Sequence, residues 1–206
     1  DSGDTTFSHP SLFDKIPVNI LMDINKDVKC LHNDLRCIII KKIYIRKGMR
    51  KLRIKGIEIG TGMPLICVPV VERTGAEIIE EMKYLSQSAA DVIEWRVDMF
   101  ESFRDYNAVR EILRAAEPLV KEKLFLYTFR SKRQGGEAEA DGSLISDLHD
   151  LAAESGCVDL VDMEYFEEEK PQKKIKNLQA QGVRVVASHH DFEGTPVPEV
   201  MKMLLE

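Results

Sequence analysis

No apolar stretch in the 206 residues approaches the roughly 18 to 20 that a membrane-spanning helix needs. The first thirty residues also lack the charged start and apolar run of a secretory signal, so a cytoplasmic protein with no membrane partner is expected. Cysteine is sparse. Cys30, Cys37, Cys67 and Cys157 form no CxxC and do not cluster with histidine, which signals neither a zinc site nor a disulfide framework and leaves free thiols as the expectation. No Walker-type Gly-Lys-Ser/Thr occurs, and the turn from Val70 to Gly75 offers no GxGxxG, so nucleotide-phosphate cradles are not signalled. Excess positive charge is missing too: 29 Lys and Arg face 35 Asp and Glu, a net charge of −6, and no nucleic-acid partner is expected. What is present, 44% hydrophobic and 31% charged residues, is the profile of a soluble globular chain and excludes collagen-like, coiled-coil and wholly disordered readings.

A second absence is local. Residues 1–48 contain no alanine and no glutamate, whereas both are common after Met49. The first part carries 8 basic against 6 acidic residues and the remainder 21 against 29, so the two parts differ in sign. Neither helical nor alternating periodicity persists within residues 1–48. They are read as an atypical extension, disordered or not native, with Met49-Arg50-Lys51-Leu52 as a natural start and a genuine extension as the alternative. Residues 49–206 are read as the folded domain.

From Met49 the pattern is regular. Leu52 to Ile59 alternates like a two-stranded ribbon turning at Lys55-Gly56. Five apolar, β-rich runs follow: Leu65 to Val70, Val92 to Val97, Leu124 to Phe129, Val158 to Met163 and Val183 to Ala187. Helix-like stretches succeed them at Gly75 to Ser88, Asn107 to Val120, Gly142 to Ser155, Glu167 to Gln181 and from about Pro198, with Thr74 and Asp141 as N-caps. Such a series implies an α/β fold with a parallel sheet and right-handed crossovers. Without a dinucleotide turn, a (β/α)₈ TIM barrel is favoured over a doubly wound sheet, and the 158 residues from Met49 supply about five of its eight units.

Charged side chains in buried parallel strands need a reason, and here they sit at the C-terminal strand ends, where barrel enzymes place their sites. Alternation puts Glu94, Arg96 and Asp98 on one face of the second run and Ile93, Trp95 and Val97 on the other. The later runs end in Thr128-Phe129-Arg130, Asp162-Met163-Glu164 and Ser188-His189-His190. Each residue also has a plain structural reading. Glu94 and Arg96 could form an ion pair, and Arg130 with Lys132 and Arg133 could be a solvated loop, although Gly135-Gly136 would let a ligand approach the backbone. Adjacent histidines on a strand point to opposite faces, so His189 and His190 are a poor metal pair. Glu167-Glu168-Glu169 reads as an exposed acidic first helical turn.

The strings Glu94-Trp95-Arg96-Val97-Asp98, Thr128-Phe129-Arg130-Ser131 with Gly135-Gly136-Glu137, and Ser188-His189-His190-Asp191-Phe192 with Thr195-Pro196 resemble type I 3-dehydroquinate dehydratase, from about Leu52 to Glu206. The resemblance implies a lyase of the shikimate pathway that dehydrates 3-dehydroquinate to 3-dehydroshikimate through a lysine imine, with no metal or dissociable cofactor. It assigns His190 as the proton-transfer residue and Glu94, Arg96 and Arg130 as substrate-binding residues. It also suggests a homodimer when complete. Two positions depart from the pattern: Gln134 stands where many members have a histidine-orienting glutamate, and Pro69 replaces a serine. The imine lysine belongs to the family's sixth strand, which the resemblance places beyond Glu206, so this chain alone is expected to be a truncated and inactive enzyme. Two other readings are a naturally short, non-catalytic chain that pairs with a separate C-terminal half, and another barrel lyase or aldolase.

Overall fold

The computed structural model describes residues 20–21, 38–39, 52–60, 64–192, 194–195 and 197–205. Five parallel strands form its centre: β5 (Ile66–Val70), β6 (Val92–Arg96), β7 (Leu124–Thr128), β8 (Leu160–Glu164) and β9 (Arg184–Ser188), neighbours in chain order. A helix follows each: α1 (Gly75–Ser86), α2 (Tyr106–Ala116), α3 (Gly142–Glu154), α4 (Pro171–Ala180) and α5 (Pro198–Leu205). This is the α/β alternation expected, and the strand order without a switch is that of a barrel wall.

Each helix begins where its sequence stops competing with it. Thr74 and Glu77 form a reciprocal capping box on α1, Asp105 caps α2 and Asp141 caps α3. The expected first turn at Glu167 to Glu169 is corrected. Helix α4 opens at Pro171, whose fixed φ suits the first helical position, and Glu167 instead sits in the preceding turn, ion-paired with Arg133. Helix α2 likewise ends at Ala116 rather than at Val120, the intervening residues forming tight turns.

Two cores divide the strands by residue parity. Outward side chains such as Ile93, Trp95, Phe125, Tyr127, Val161 and Val185 pack under the helices against stripes including Ile78–Met82–Leu85 and Val109–Ile112–Leu113. Trp95 meets Tyr127 edge-on at 5.5 Å between ring centroids. Inward side chains at the N-terminal half, Cys67, Val92, Leu124, Leu126, Leu160 and Val186, form a separate apolar floor. The antiparallel hairpin of β3 (Leu52–Ile54) and β4 (Ile57–Ile59) closes that floor with Leu52 and Ile59. Its turn residue Lys55 pairs with Asp159 at 2.7 Å and donates to the carbonyls of Val120 and Lys123. The ribbon expected from alternation, with its turn at Lys55-Gly56, is therefore present.

Within residues 1–48 two dipeptides adopt strand pairing, where no packed element was expected. β1 (Ile20–Leu21) runs parallel to β9 opposite Val186 and Ala187, and β2 (Ile38–Ile39) runs antiparallel to β5 opposite Cys67 and Ile66. The reading of the rest of residues 1–48, including Cys30 and Cys37, lies outside the described residues. Cys67 and Cys157 are both buried, and no helix among the described residues is long and apolar enough to cross a membrane.

Candidate active site at the C-terminal strand ends

Two residues above the apolar floor, the inward face becomes ionisable. Strand register carries Arg96 beside Thr128, Thr128 beside Asp162, and Glu164 beside Ser188, so the polar groups converge in one layer. Glu94, Asp98, Arg130, Asp162, Glu164 and Ser188 are all buried there. Burying charge costs several kcal/mol per ion unless partners compensate, and here they do. Arg130 Nη2 meets Asp162 Oδ1 at 2.9 Å, while its Nη1 donates to Glu164 Oε1 at 3.1 Å and Ser188 Oγ at 3.0 Å. The Ser188 hydroxyl donates onward to Asp162 Oδ1 at 2.7 Å.

The solvated-loop reading of Arg130 is thereby corrected: it is buried, while Lys132 and Arg133 beside it are exposed. A direct Glu94–Arg96 pair is also not what forms. The strand ends at Arg96, and Val97–Met99 turns as a short 3₁₀ segment that swings Asp98 back onto Arg96. Asp98 accepts from Arg96 Nε at 2.8 Å and Nη2 at 2.7 Å, a bidentate fork. Its oxygens also accept from the backbone N–H groups of Arg130 and Glu137, each at 3.2 Å. One carboxylate thus fixes both candidate substrate-binding arginines. Glu94, left without such a clamp, has its pKa pushed up by burial, with Asp162 adding to the rise.

The loop after β7 is held close by glycine. Gly135 has φ +86° beneath the Phe192 ring, and a Cβ on Gly136 would collide with the Arg130 carbonyl. The close approach expected of this pair is to the protein's own backbone. That packing brings Gln134, itself buried, under His190. Gln134 Oε1 accepts from the His190 backbone N–H at 2.9 Å and lies 3.2 Å from Nδ1. An amide oxygen only accepts, so Nδ1 carries the proton and Nε2 is left as the basic nitrogen. Burial and then the Arg130 charge depress the His190 pKa to about 4. His189 turns elsewhere, its ring edge-on to Phe166 at 5.1 Å, as opposite strand faces require. Among the described residues no three His, Cys, Asp or Glu side chains are arranged to hold a metal ion.

Comparison with known proteins bears on this constellation. The sequence pattern of the type I 3-dehydroquinase family matches residues 66–206. The chain belongs to that family. It is 38% identical over 158 residues to the 3-dehydroquinate dehydratase of Syntrophotalea carbinolica, covering 76% of this chain and 62% of the relative. The Bacillus subtilis 3-dehydroquinate dehydratase is 38% identical over 152 residues, covering 73% and 60%. Among solved structures, the type I 3-dehydroquinate dehydratase of Clostridium difficile superposes with a TM-score of 0.70 at 35% identity over 75% of this chain and 64% of that one. The Geobacillus kaustophilus enzyme gives 0.69 at 29% identity, covering 74% and 60%. The chain therefore spans about three-fifths of the length of the curated relatives it matches.

Within this member of the type I family, Glu94, Arg96, Arg130 and His190, singled out in the sequence, all lie at the C-terminal ends of β6, β7 and β9. Asp98, Asp162 and Glu164 were visible as strand-end residues, but their clamping of the arginines was not. Their signal was parity with Arg96, Arg130 and His190 along strands of known direction.

Proposed function

We propose that the chain carries the substrate-binding and proton-transfer half of a type I 3-dehydroquinate dehydratase, the lyase that converts 3-dehydroquinate to 3-dehydroshikimate in the shikimate pathway. The supporting observation is the convergence of Glu94, Arg96, Arg130 and His190 on one face, with both arginines fixed by buried carboxylates. In this reading the guanidinium edges take the substrate's carboxylate and hydroxyls. Glu94, whose pKa burial raises, holds a further hydroxyl.

The chemistry follows from the resemblance. A family lysine condenses with the substrate ketone, and the imine draws electrons from the adjacent carbon, acidifying its C–H bond. His190 Nε2 takes that proton and returns one to the departing hydroxyl, a role worth roughly 10² to 10⁴ in rate. The lysine belongs to the family's sixth strand, a unit after the five parallel strands described, and no dissociable cofactor is invoked. Cytoplasmic placement and a homodimer of the complete enzyme belong to the same proposal.

The test is enone ultraviolet absorbance after adding 3-dehydroquinate to the 206-residue chain, alone and with a segment carrying the last three βα units of the Bacillus subtilis relative. The expected result is no enone from the chain alone, enone from the pair, and loss of that signal with His190→Ala. Enone from the chain alone would overturn the missing-lysine reading, and an unimpaired His190→Ala pair would overturn the role of His190.

A further inference from the structure

Asp98 is buried at 3% exposure, so its carboxylate oxygens must find their partners within the protein. Four donors supply them. Oδ1 accepts from Arg96 Nε at 2.8 Å and from the Arg130 backbone N–H at 3.2 Å, while Oδ2 accepts from Arg96 Nη2 at 2.7 Å and from the Glu137 backbone N–H at 3.2 Å. A carboxylate offers about four lone-pair sites, so Asp98 has none left for a substrate. What it does is done through its partners.

Those partners belong to two different parts of the site. The fork occupies the Nε–Nη2 edge of Arg96 and leaves the Nη1 side for substrate. The two backbone donors bracket the loop after β7, Arg130 on its outgoing arm and Glu137 on its returning arm. Lys132 N–H donates to the Ala138 carbonyl at 3.2 Å and Gly136 N–H to the Ser131 carbonyl at 2.9 Å, which closes the loop across its stem. Within it lies Gln134, whose Oε1 holds both the backbone N–H and Nδ1 of His190.

The two arms are not held equally. Glu164 Oε1 also accepts from the Ser131 N–H at 2.9 Å, so the outgoing arm has a second carboxylate, whereas Glu137 relies on Asp98. A Cβ on Gly136 would lie 3.0 Å from Asp98 Oδ2 as well as striking the Arg130 carbonyl, so glycine there is what lets the loop reach the carboxylate. Hydrogen bonds to an ionised acceptor are roughly twice as strong as neutral ones, which makes this tie a firm one.

We propose that Asp98 is a positioning residue that sets the pose and the Nδ1–H tautomer of His190 through residues 130–137, in the same act that holds Arg96 for substrate.

The inference rests on the proton-transfer role given to His190 above, and its deciding measurements need no turnover. Imidazole ¹⁵N spectra of the labelled chain report the tautomer, and hydrogen exchange reports the Glu137 amide. In Asp98→Asn the amide nitrogen faces two donors whichever way it turns, so one arm of the loop is released. The expected result is that His190 changes from Nδ1–H alone to exchange between both tautomers, and that the Glu137 amide loses a protection of at least about tenfold. Arg96→Lys keeps the positive charge and both backbone contacts of Asp98 while losing the fork, and should keep the parent tautomer. In the pair completed in trans, Asp98→Asn should lower kcat at least about tenfold, part of the roughly 10² to 10⁴ that proton transfer supplies, whereas Arg96→Lys should act chiefly on KM. An unchanged tautomer in folded Asp98→Asn, an equal tautomer change in Arg96→Lys, or an unprotected Glu137 amide in the parent would each overturn the assignment. The last requires no variant and decides the matter if Asp98→Asn does not fold. The expected tautomer contrast in a pair that yields no enone would refute the lyase reading and leave the Asp98 assignment standing.

Discussion

Replacing Gln134 by glutamate tests the electrostatics of the histidine site directly. In the parent, an uncharged amide oxygen 3.2 Å from Nδ1 orients His190 but cannot stabilise its charged form, and burial holds the pKa at about 4. A carboxylate at that position is worth ~4 kcal/mol of attraction at about 4 Å with an effective dielectric of 20, or ~3 pKa units at 1.36 kcal/mol each. Nearby Asp162 already acts in the same sense, and burial of Gln134 at 3% exposure taxes a new charge, so a rise of about 1 to 3 units is expected. The His190 pKa should then lie between ~5 and ~7, near the range suited to a general base. Carbon-13 titration of labelled histidine in Gln134→Glu against the parent reads this, the two groups titrating as a coupled pair. A shift below ~0.5 unit would refute the reasoning, because it would mean that the new carboxyl holds its own proton or that His190 does not face it. In the pair completed in trans, the same substitution should move the acid limb of the rate profile upward by the same amount.

Arg130→Met should destabilise the chain by about 3 to 5 kcal/mol, because Asp162 and Glu164 are left buried without their cation. Adding Asp162→Asn should recover part of that loss; urea unfolding measures both, and a single-variant cost below ~1 kcal/mol would contradict a buried network. Both His190 and His149 have folded pKa values, about 4 and about 3, below the unfolded value of 6.5. The unfolded chain therefore binds more protons in this window, so stability should fall as pH drops from about 6.5 toward 4 and on toward 3. His149→Phe should flatten the lower part of that curve.

Much of this was legible because alternation in a parallel strand states which face a residue takes. Val92, Glu94 and Arg96 share one face by parity, and the strand-to-helix rhythm orders the strands, so the cluster's location followed from sequence. What parity cannot give is who meets whom across the wall. That Arg130 leaves its loop neighbours for Asp162, Glu164 and Ser188 depends on register between β7, β8 and β9, and on the glycine-permitted turn that draws Gln134 inward. The 3₁₀ bend at Val97 broke the simple alternation and sent Asp98 to Arg96, a pairing hidden from a strand template. His149 gave no signal, since a lone histidine amid the buried face of α3, beside Leu148 and Ala152, reads as packing.

The stacking of ionisable groups directly above the apolar floor has one more implication. On β6, β7 and β8 the same inward face holds Val92, Leu126 and Leu160 below and Glu94, Thr128 and Asp162 two residues above. A deletion of one residue in such a strand would turn its hydrocarbon into the lumen's upper, wet half and its charges into the helix layer at one stroke. Length in these segments is therefore frozen by two unrelated demands at once. Insertions can accumulate only in the connecting loops, where a chain of this kind keeps its freedom to vary.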